Sequence, residues 1–196
     1  NAGDPLLSDE NRDAALGSWN GPDWGPEFFA HEIARSARDA GLGVAAAIIG
    51  VATTLVESGN PLKMWANNAV PESLSFRHDA VGSDADSIGL FQQRQAGWGT
   101  VEDRMTPFKS AGMFFDRLKQ FDWENMDPGA AAQKVQVSAF PDRYAQQMDA
   151  AKGLVGRAGV YDTGGILPHG VTALNLSHKP EIIINNDQLT AFSRLS

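Results

Sequence analysis

Residues 44–60 read VAAAIIGVATTLVESGN. As far as Val56 this stretch carries no charged side chain, and Thr53 and Thr54 are its only polar ones. A helix built from it is apolar on nearly every face, so it has to be buried on nearly every face. The run is shorter than the roughly 18 apolar residues of a membrane span, and Gly, Pro and acidic residues surround it instead of bilayer anchors. The stretch therefore predicts a central core helix. Its last turn delivers Glu57, after which Ser58-Gly59-Asn60-Pro61 supplies a flexible cap and a proline that stops the helix.

A carboxylate is poorly placed there for stability. The C-terminal end of a helix carries partial negative charge, and apolar neighbours remove water, so both effects favour the protonated form of Glu57. A raised pKa is what a general acid needs. The competing reading is structural: Glu57 rotates into solvent at a frayed helix end.

Composition narrows the function classes. The chain has 196 residues, 42% of them hydrophobic, which fits one globular domain with a core and an appendage. A formal net charge of -8 and no run among the 16 basic residues argue against a nucleic-acid partner, whose phosphates require clustered Lys and Arg. With no cysteine, disulfides and thiolate metal sites are excluded. His31, His78, His169 and His178 form no i, i+4 pair or short cluster, so neither a metal centre nor a cofactor is expected. The first residue is an Asn with no signal pattern behind it, and we expect a fragment or processed product of something longer.

Residues 1–25 are rich in Gly, Pro, Asp and Asn, an irregular arm that Trp19 and Trp24 would pin to the body. Pro26 suits a first helical position, and Phe28, Phe29, Ile33, Ala34 and Ala37 recur at helical spacing up to Gly41. Residues 60–87 show little periodicity, as a long cleft loop or lid would. SIGLFQQRQAGWGT, residues 87–100, is broken by glycines and suggests an extended or hairpin-like segment, with Gln92 and Gln93 suited to sugar hydroxyls and amides. Thr106-Pro107 and Asp127-Pro128 open two further helices, and Pro141-Asp142 a last one reaching about Arg157, with Val135 and Met148 facing the core. Beyond residue 157 a Gly-rich tail carries apolar pairs, and residues 171–176 and 181–185 are expected to pair as strands across 177–180. The expected organisation is an arm (1–25), a mainly α domain (26–157) and a β-containing tail (158–196) that packs on the domain or on another chain.

Glu57-Ser58-Gly59, followed by Gly89-Leu90-Phe91-Gln92-Gln93, resembles the paired motifs of lytic transglycosylases and goose-type lysozymes. The resemblance spans roughly residues 41–154 and implies an α+β lysozyme-like fold with a small β-hairpin-like segment in the cleft. DSIGLFQQRQAGWGT and VSAFPDRYA look like the branch common in actinobacteria and their phages. The chain departs from the family at Phe140-Pro141, where many transglycosylases carry Ala-Tyr-Asn. Residues 161–170, YDTGGILPHG, with Lys179-Pro180-Glu181-Ile182-Ile183, resemble the C-terminal segment of actinobacteriophage tail tape measure proteins. That implies a virion tail setting at the host wall, with tail-tip proteins and further copies of the chain as partners. A secreted bacterial cell-wall enzyme is the alternative.

The family chemistry would cleave peptidoglycan glycan strands between N-acetylmuramic acid and N-acetylglucosamine with Glu57 as acid. A transglycosylase needs that one carboxylate, whereas an inverting hydrolase needs a second one to hold water. Asp84 and Asp86 lie near where goose-type lysozymes carry such an acid, and a solvated acidic turn is their other reading. Ser58, Gln92 and Gln93 would bind glycan; Trp98 would stack on a sugar face or anchor the core. Tyr144 would point its hydroxyl into the cleft, as tyrosines of this region do in the family. A structural tail-tip module retaining only the fold is the competing function.

Overall fold

The computed structural model describes residues 21–137, 142–161, 165–167, 174–175 and 183–185. Among them are seven α-helices, a small parallel sheet within the helical body and short strands after it, so the chain is mainly helical. Helix α1, Pro26–Asp39, starts on Pro26 and buries Phe29, Ala30, Ile33, Ala34 and Ala37, the positions that share one face at helical spacing. Helix α2, Val44–Glu57, is the central element: α1 and four of the five later helices, those beginning at Pro107, Pro128, Asp142 and Met148, pack on it. Thr53 and Thr54 satisfy their buried hydroxyls inside the helix, donating to Ile49 O and Val51 O at 2.8 Å each. A Cβ at Gly50 would stand 3.0 Å from both Ile33 Cγ2 and Phe115 Cζ, so the missing side chain lets two neighbours close on α2.

Between α2 and the next helix, residues 60–87 are not the irregular loop that their lack of periodicity suggests. Strands β1, Trp65–Asn67, and β2, Ala80–Gly82, pair in parallel with Trp65 opposite Ala80. Three residues are too few to print an alternating pattern, which is why the sheet escapes a sequence reading. Polar side chains hold the segment together. Asp79 accepts from Met64 N and from the Trp24 indole at 2.8 Å each. Asn67 is buried and donates to Asp84 O and Ser87 O at 3.0 and 3.1 Å. The hairpin-like segment expected next is one antiparallel bridge, Ile88 with Gln93, around a tight turn.

Helix α3, Val101–Met105, was not anticipated; its start is a capping box between Thr100 and Asp103. Helix α4, Pro107–Leu118, buries Ala111, Phe114, Phe115 and Leu118. Helix α5, Pro128–Gln136, is capped by Asp127, whose carboxylate accepts from Ala130 N at 3.1 Å. Val135 is buried and Met148 half-buried against the core. The single last helix expected from 141 to 157 is two, α6, Asp142–Ala145, and α7, Met148–Arg157. Gln147 N donates to Tyr144 O at 3.1 Å, a turn that re-aims the chain between them.

In the tail, the pairing differs from expectation. Strand β3, Val160–Tyr161, pairs in parallel with β5, Leu174–Asn175, and β4, Gly165–Leu167, pairs in parallel with β6, Ile183–Asn185. The two later strands therefore each pair with an upstream strand and not with one another. Residues 1–20 with Trp19, residues 138–141 with the Phe140-Pro141 departure, and most of the tape-measure-like stretches lie outside the described residues. Trp24, at the end of the expected arm, meets Phe29 edge-on at 4.9 Å between ring centroids. No helix among the described residues is long and apolar enough to cross a membrane.

The turn at residues 89–92 depends on Gly89. Its φ of +79° belongs to the left-handed region, and a Cβ there would stand 2.1 Å from the Arg104 carbonyl oxygen. Gly89→Ala is predicted to cost at least about 3 kcal/mol in chemical denaturation, the sum of backbone strain and a clash with main chain. A loss below ~1 kcal/mol would show that the turn shifts freely away from Arg104.

Candidate active site

Glu57 is the last residue of α2, and the chain beyond it is held in three ways. Ser58 N and Ser58 Oγ both donate to Thr54 O, at 2.8 and 2.9 Å, and Ser58 O accepts from the Trp65 indole at 2.9 Å. The helix end is therefore closed by Ser58 and by β1, and does not fray. With the backbone held, the Glu57 carboxyl accepts from Tyr144 Oη at 2.5 Å. Tyr144 is fully buried on α6. Its approach relies on Gly129 at the start of α5, where a Cβ would lie 2.8 Å from Ala145 Cβ and Ala145 N.

Burial pushes the Glu57 carboxyl above the usual glutamate range. The Tyr144 hydrogen bond and the charge of Arg143 pull the other way without cancelling it. The solvated reading of Glu57 does not describe this side chain, which is largely removed from water and bonded.

In front of Glu57 opens a cleft of about 400 Å³, lined also by Gln92, Arg94, Ala96, Trp98 and Gln136. Its wall comes from the segment after the Ile88–Gln93 bridge and from the end of α5. Gln92 adopts a left-handed conformation, φ +49°, and its Nε2 donates to Gly89 O at 2.9 Å. Strained non-glycine backbone of this kind concentrates at functional sites. Gln136 Nε2 donates to Phe91 O at 3.2 Å, tying the end of α5 to the same wall.

The other candidates divide. Gln93 is buried beneath the wall with Nε2 donating to Ser110 O at 3.0 Å, and Ser58 is spent on its helix; neither lines the cleft. Trp98 lines it, but is only 8% exposed and lies under the Arg117 guanidinium, 3.5 Å from the ring centroid. It serves the wall as an anchored indole with little free face. Asp84 is exposed and does not line the cleft, its carbonyl taken by Asn67. Asp86 does not line the cleft either: its carboxylate accepts from Arg94 Nε at 2.5 Å and from Gln95 N at 2.8 Å. The Arg94 bond, then the backbone bond, hold Asp86 below the usual carboxylate range.

Arg94, Ala96 and Gln136 were not singled out in the sequence. Arg94 had a legible signal, being the one cation in SIGLFQQRQAGWGT; Gln136 had none, because only tertiary packing brings it there. The site thus presents one half-buried carboxyl, two amides and one guanidinium, a set able to give a proton to a neutral oxygen while binding hydroxyls and acids. Among the described residues no group of three His, Asp or Glu is placed to hold a metal ion.

The burial of Glu57 has a pH signature. Unfolded, it titrates near 4.5; folded, it titrates higher. Between the two values the native state keeps a proton that the unfolded chain has lost, so stability falls as pH rises through that window. Glu57→Gln, neutral throughout, is predicted to gain Tm relative to the parent as pH rises through the window, with a flat difference on either side. Parallel Tm profiles would show Glu57 to be solvated. The sequence matches no known protein-family model and no curated protein, so the chemistry of the cleft bears the weight of assigning a function.

Proposed function

We propose that the chain is a glycosidase of the lytic transglycosylase kind, cleaving peptidoglycan strands between N-acetylmuramic acid and N-acetylglucosamine. The observation that carries this reading is the single desolvated carboxyl of Glu57, bonded to Tyr144 at the floor of an open cleft. A mainly helical body around a buried helix ending in that acid agrees with the lysozyme-like fold implied by Glu57-Ser58-Gly59 and Gly89-Leu90-Phe91-Gln92-Gln93.

The chemistry needs one acid used twice. Protonated Glu57 gives its proton to the glycosidic oxygen as the bond to muramic C1 breaks, which releases the N-acetylglucosamine end as an alcohol. The Glu57 carboxylate then takes the proton of the muramic C6 hydroxyl while that oxygen bonds to C1, closing a 1,6-anhydro ring. Glu57 ends as it began, and no water is consumed. Tyr144 supports the carboxylate stage by donating to it. Gln92 and Gln136 face the cleft as amides for hydroxyl and acetamido groups.

A hydrolase would need a carboxylate to hold water across the cleft. Asp86 is bound to Arg94 and Gln95, and neither Asp86 nor Asp84 lines the cleft, which favours the single-acid route. The tail sequence supports a setting in a phage tail tape measure protein, with tail-tip proteins and other copies of the chain as neighbours and the host wall as target.

Digestion of purified cell wall followed by mass spectrometry tests the proposal. Expected products end in 1,6-anhydro muramic acid. Glu57→Gln is predicted to lower the rate by about 10²–10⁴-fold with folding retained. Asp84→Asn should leave rate and products unchanged. Reducing muramic ends would indicate hydrolysis, and no released fragments from the folded parent protein would favour a structural module.

A further inference from the structure

Among the described residues Arg94 is the one cation lining the cleft, and the other lining residues, Glu57 apart, are uncharged. In a chain of net charge -8 a guanidinium in the lining of the cleft that holds Glu57 requires a reason. Stability does not supply one. The Arg94 and Asp86 side chains are 62% and 27% exposed, and ion pairs in such positions contribute about 0–1 kcal/mol. The pair does achieve orientation. Asp86 is itself fixed by Gln95 N at 2.8 Å, so its grip on Arg94 Nε holds the guanidinium from one side. The Nη groups have no protein partner among the described residues.

We propose that Arg94 is the specificity residue of this cleft, binding a carboxylate carried by the glycan, with Asp86 as its positioning residue. The inference rests on the glycan-cleaving reading and narrows its substrate to acidic strands over neutral chitin-like ones. A guanidinium held at Nε offers its Nη donors to a carboxylate with less rotamer entropy left to lose. Asp86 and Asp84 reduce the net attraction, since both charges reach Arg94, while Arg143, whose charge reaches Glu57, adds to it. The selectivity therefore comes from directed hydrogen bonds more than from the summed field.

Two sources on peptidoglycan carry this chemistry: the lactyl carboxylate of a stem-free muramic residue and the carboxylates of a peptide stem. Calorimetric binding to Glu57→Gln protein, which does not turn over, separates them with three probes. These are chitotetraose, the stem-free muramic-containing tetrasaccharide, and the same tetrasaccharide with stem peptides. At least one acidic probe should bind roughly ten- to hundredfold tighter than chitotetraose, and the tighter acidic probe identifies the source. Adding Arg94→Ala should erase that preference and leave chitotetraose unchanged. Arg94→Lys should restore part of it, and Asp86→Asn should weaken acidic binding alone. The preference should also shrink with added salt.

Equal losses on neutral and acidic probes, no preference in the Arg94 protein, or binding of none of the three overturns the proposal. Cell wall cleaved at an unchanged rate by Arg94→Ala overturns it too and leaves the glycosidase reading standing. An Arg94-dependent preference in a protein that releases no wall fragments upholds it and removes the catalytic reading.

Discussion

The hydrogen bond from Tyr144 to Glu57 joins the end of the central helix to α6, and the rest of the site is arranged around what that bond offsets. A carboxyl at the end of a largely buried helix loses much of its water whether or not it is charged. With no donor, it would be a buried unpaired acceptor. Tyr144 supplies that donor from the interior, which meets the polar need of the carboxyl without opening the helix end to solvent. The geometry has requirements in turn. Gly129 has no side chain where α6 comes closest to α5, and the turn at Gln147 separates α6 from α7 so that Tyr144 can be aimed independently of the longer helix.

The opposite wall is braced by a second buried polar group. Arg104 is almost entirely buried, and its donors go to carbonyls: Thr100 O at 3.2 Å, Gln93 O at 3.2 Å and Asp86 O at 3.4 Å. Burial lowers its pKa, with the charges of Asp86 and Glu72 working against that shift. A cation gathering main-chain carbonyls from both sides of the Ile88–Gln93 bridge fixes where the segment leaves and returns. Gly89 completes the brace, because any side chain would push the turn off the Arg104 carbonyl. The cleft-lining wall residues Gln92 and Arg94 thus stand on a base that is itself buried and hydrogen-bonded, which is how a loop acquires the rigidity that site geometry demands.

What could be read from sequence follows the length of each pattern. Residues 44–57 are apolar without interruption, and α2 appears over those residues with Glu57 at its end. The i, i+3, i+4 spacing of α1 and α4 was equally plain, as was the Asp127 cap. Strands β1 and β2 were not legible, since three-residue strands made partly of Asn and Gly carry no period, and the break at Gln146-Gln147 interrupts no pattern either. At the site, the awkward position of Glu57 was only a hint, and its role as the acid, like the place of Tyr144 in the cleft, entered through the family resemblance. Gln92 and Gln93 looked equivalent, but the bridge to Ile88 turns one to the cleft and the other to Ser110. Asp86 entered as a possible second acid through the resemblance to goose-type lysozymes; Arg94, eight positions later, takes its carboxylate.

The two carboxyl groups of this region are driven apart by their surroundings. Burial raises Glu57; a guanidinium and a backbone N–H hold Asp86 down. In many glycosidases that divergence sorts an acid from a nucleophile or base. Here the ionised group is bonded to a cation, so on the proposed reading the divergence sorts a proton donor from a positioning group. Placing a bare Asp86 carboxylate in the cleft would also have put a second negative charge beside the acid and repelled any acidic ligand. Tying that charge to Arg94 holds a cation there, which leaves Glu57 as the one acid lining the cleft among the described residues.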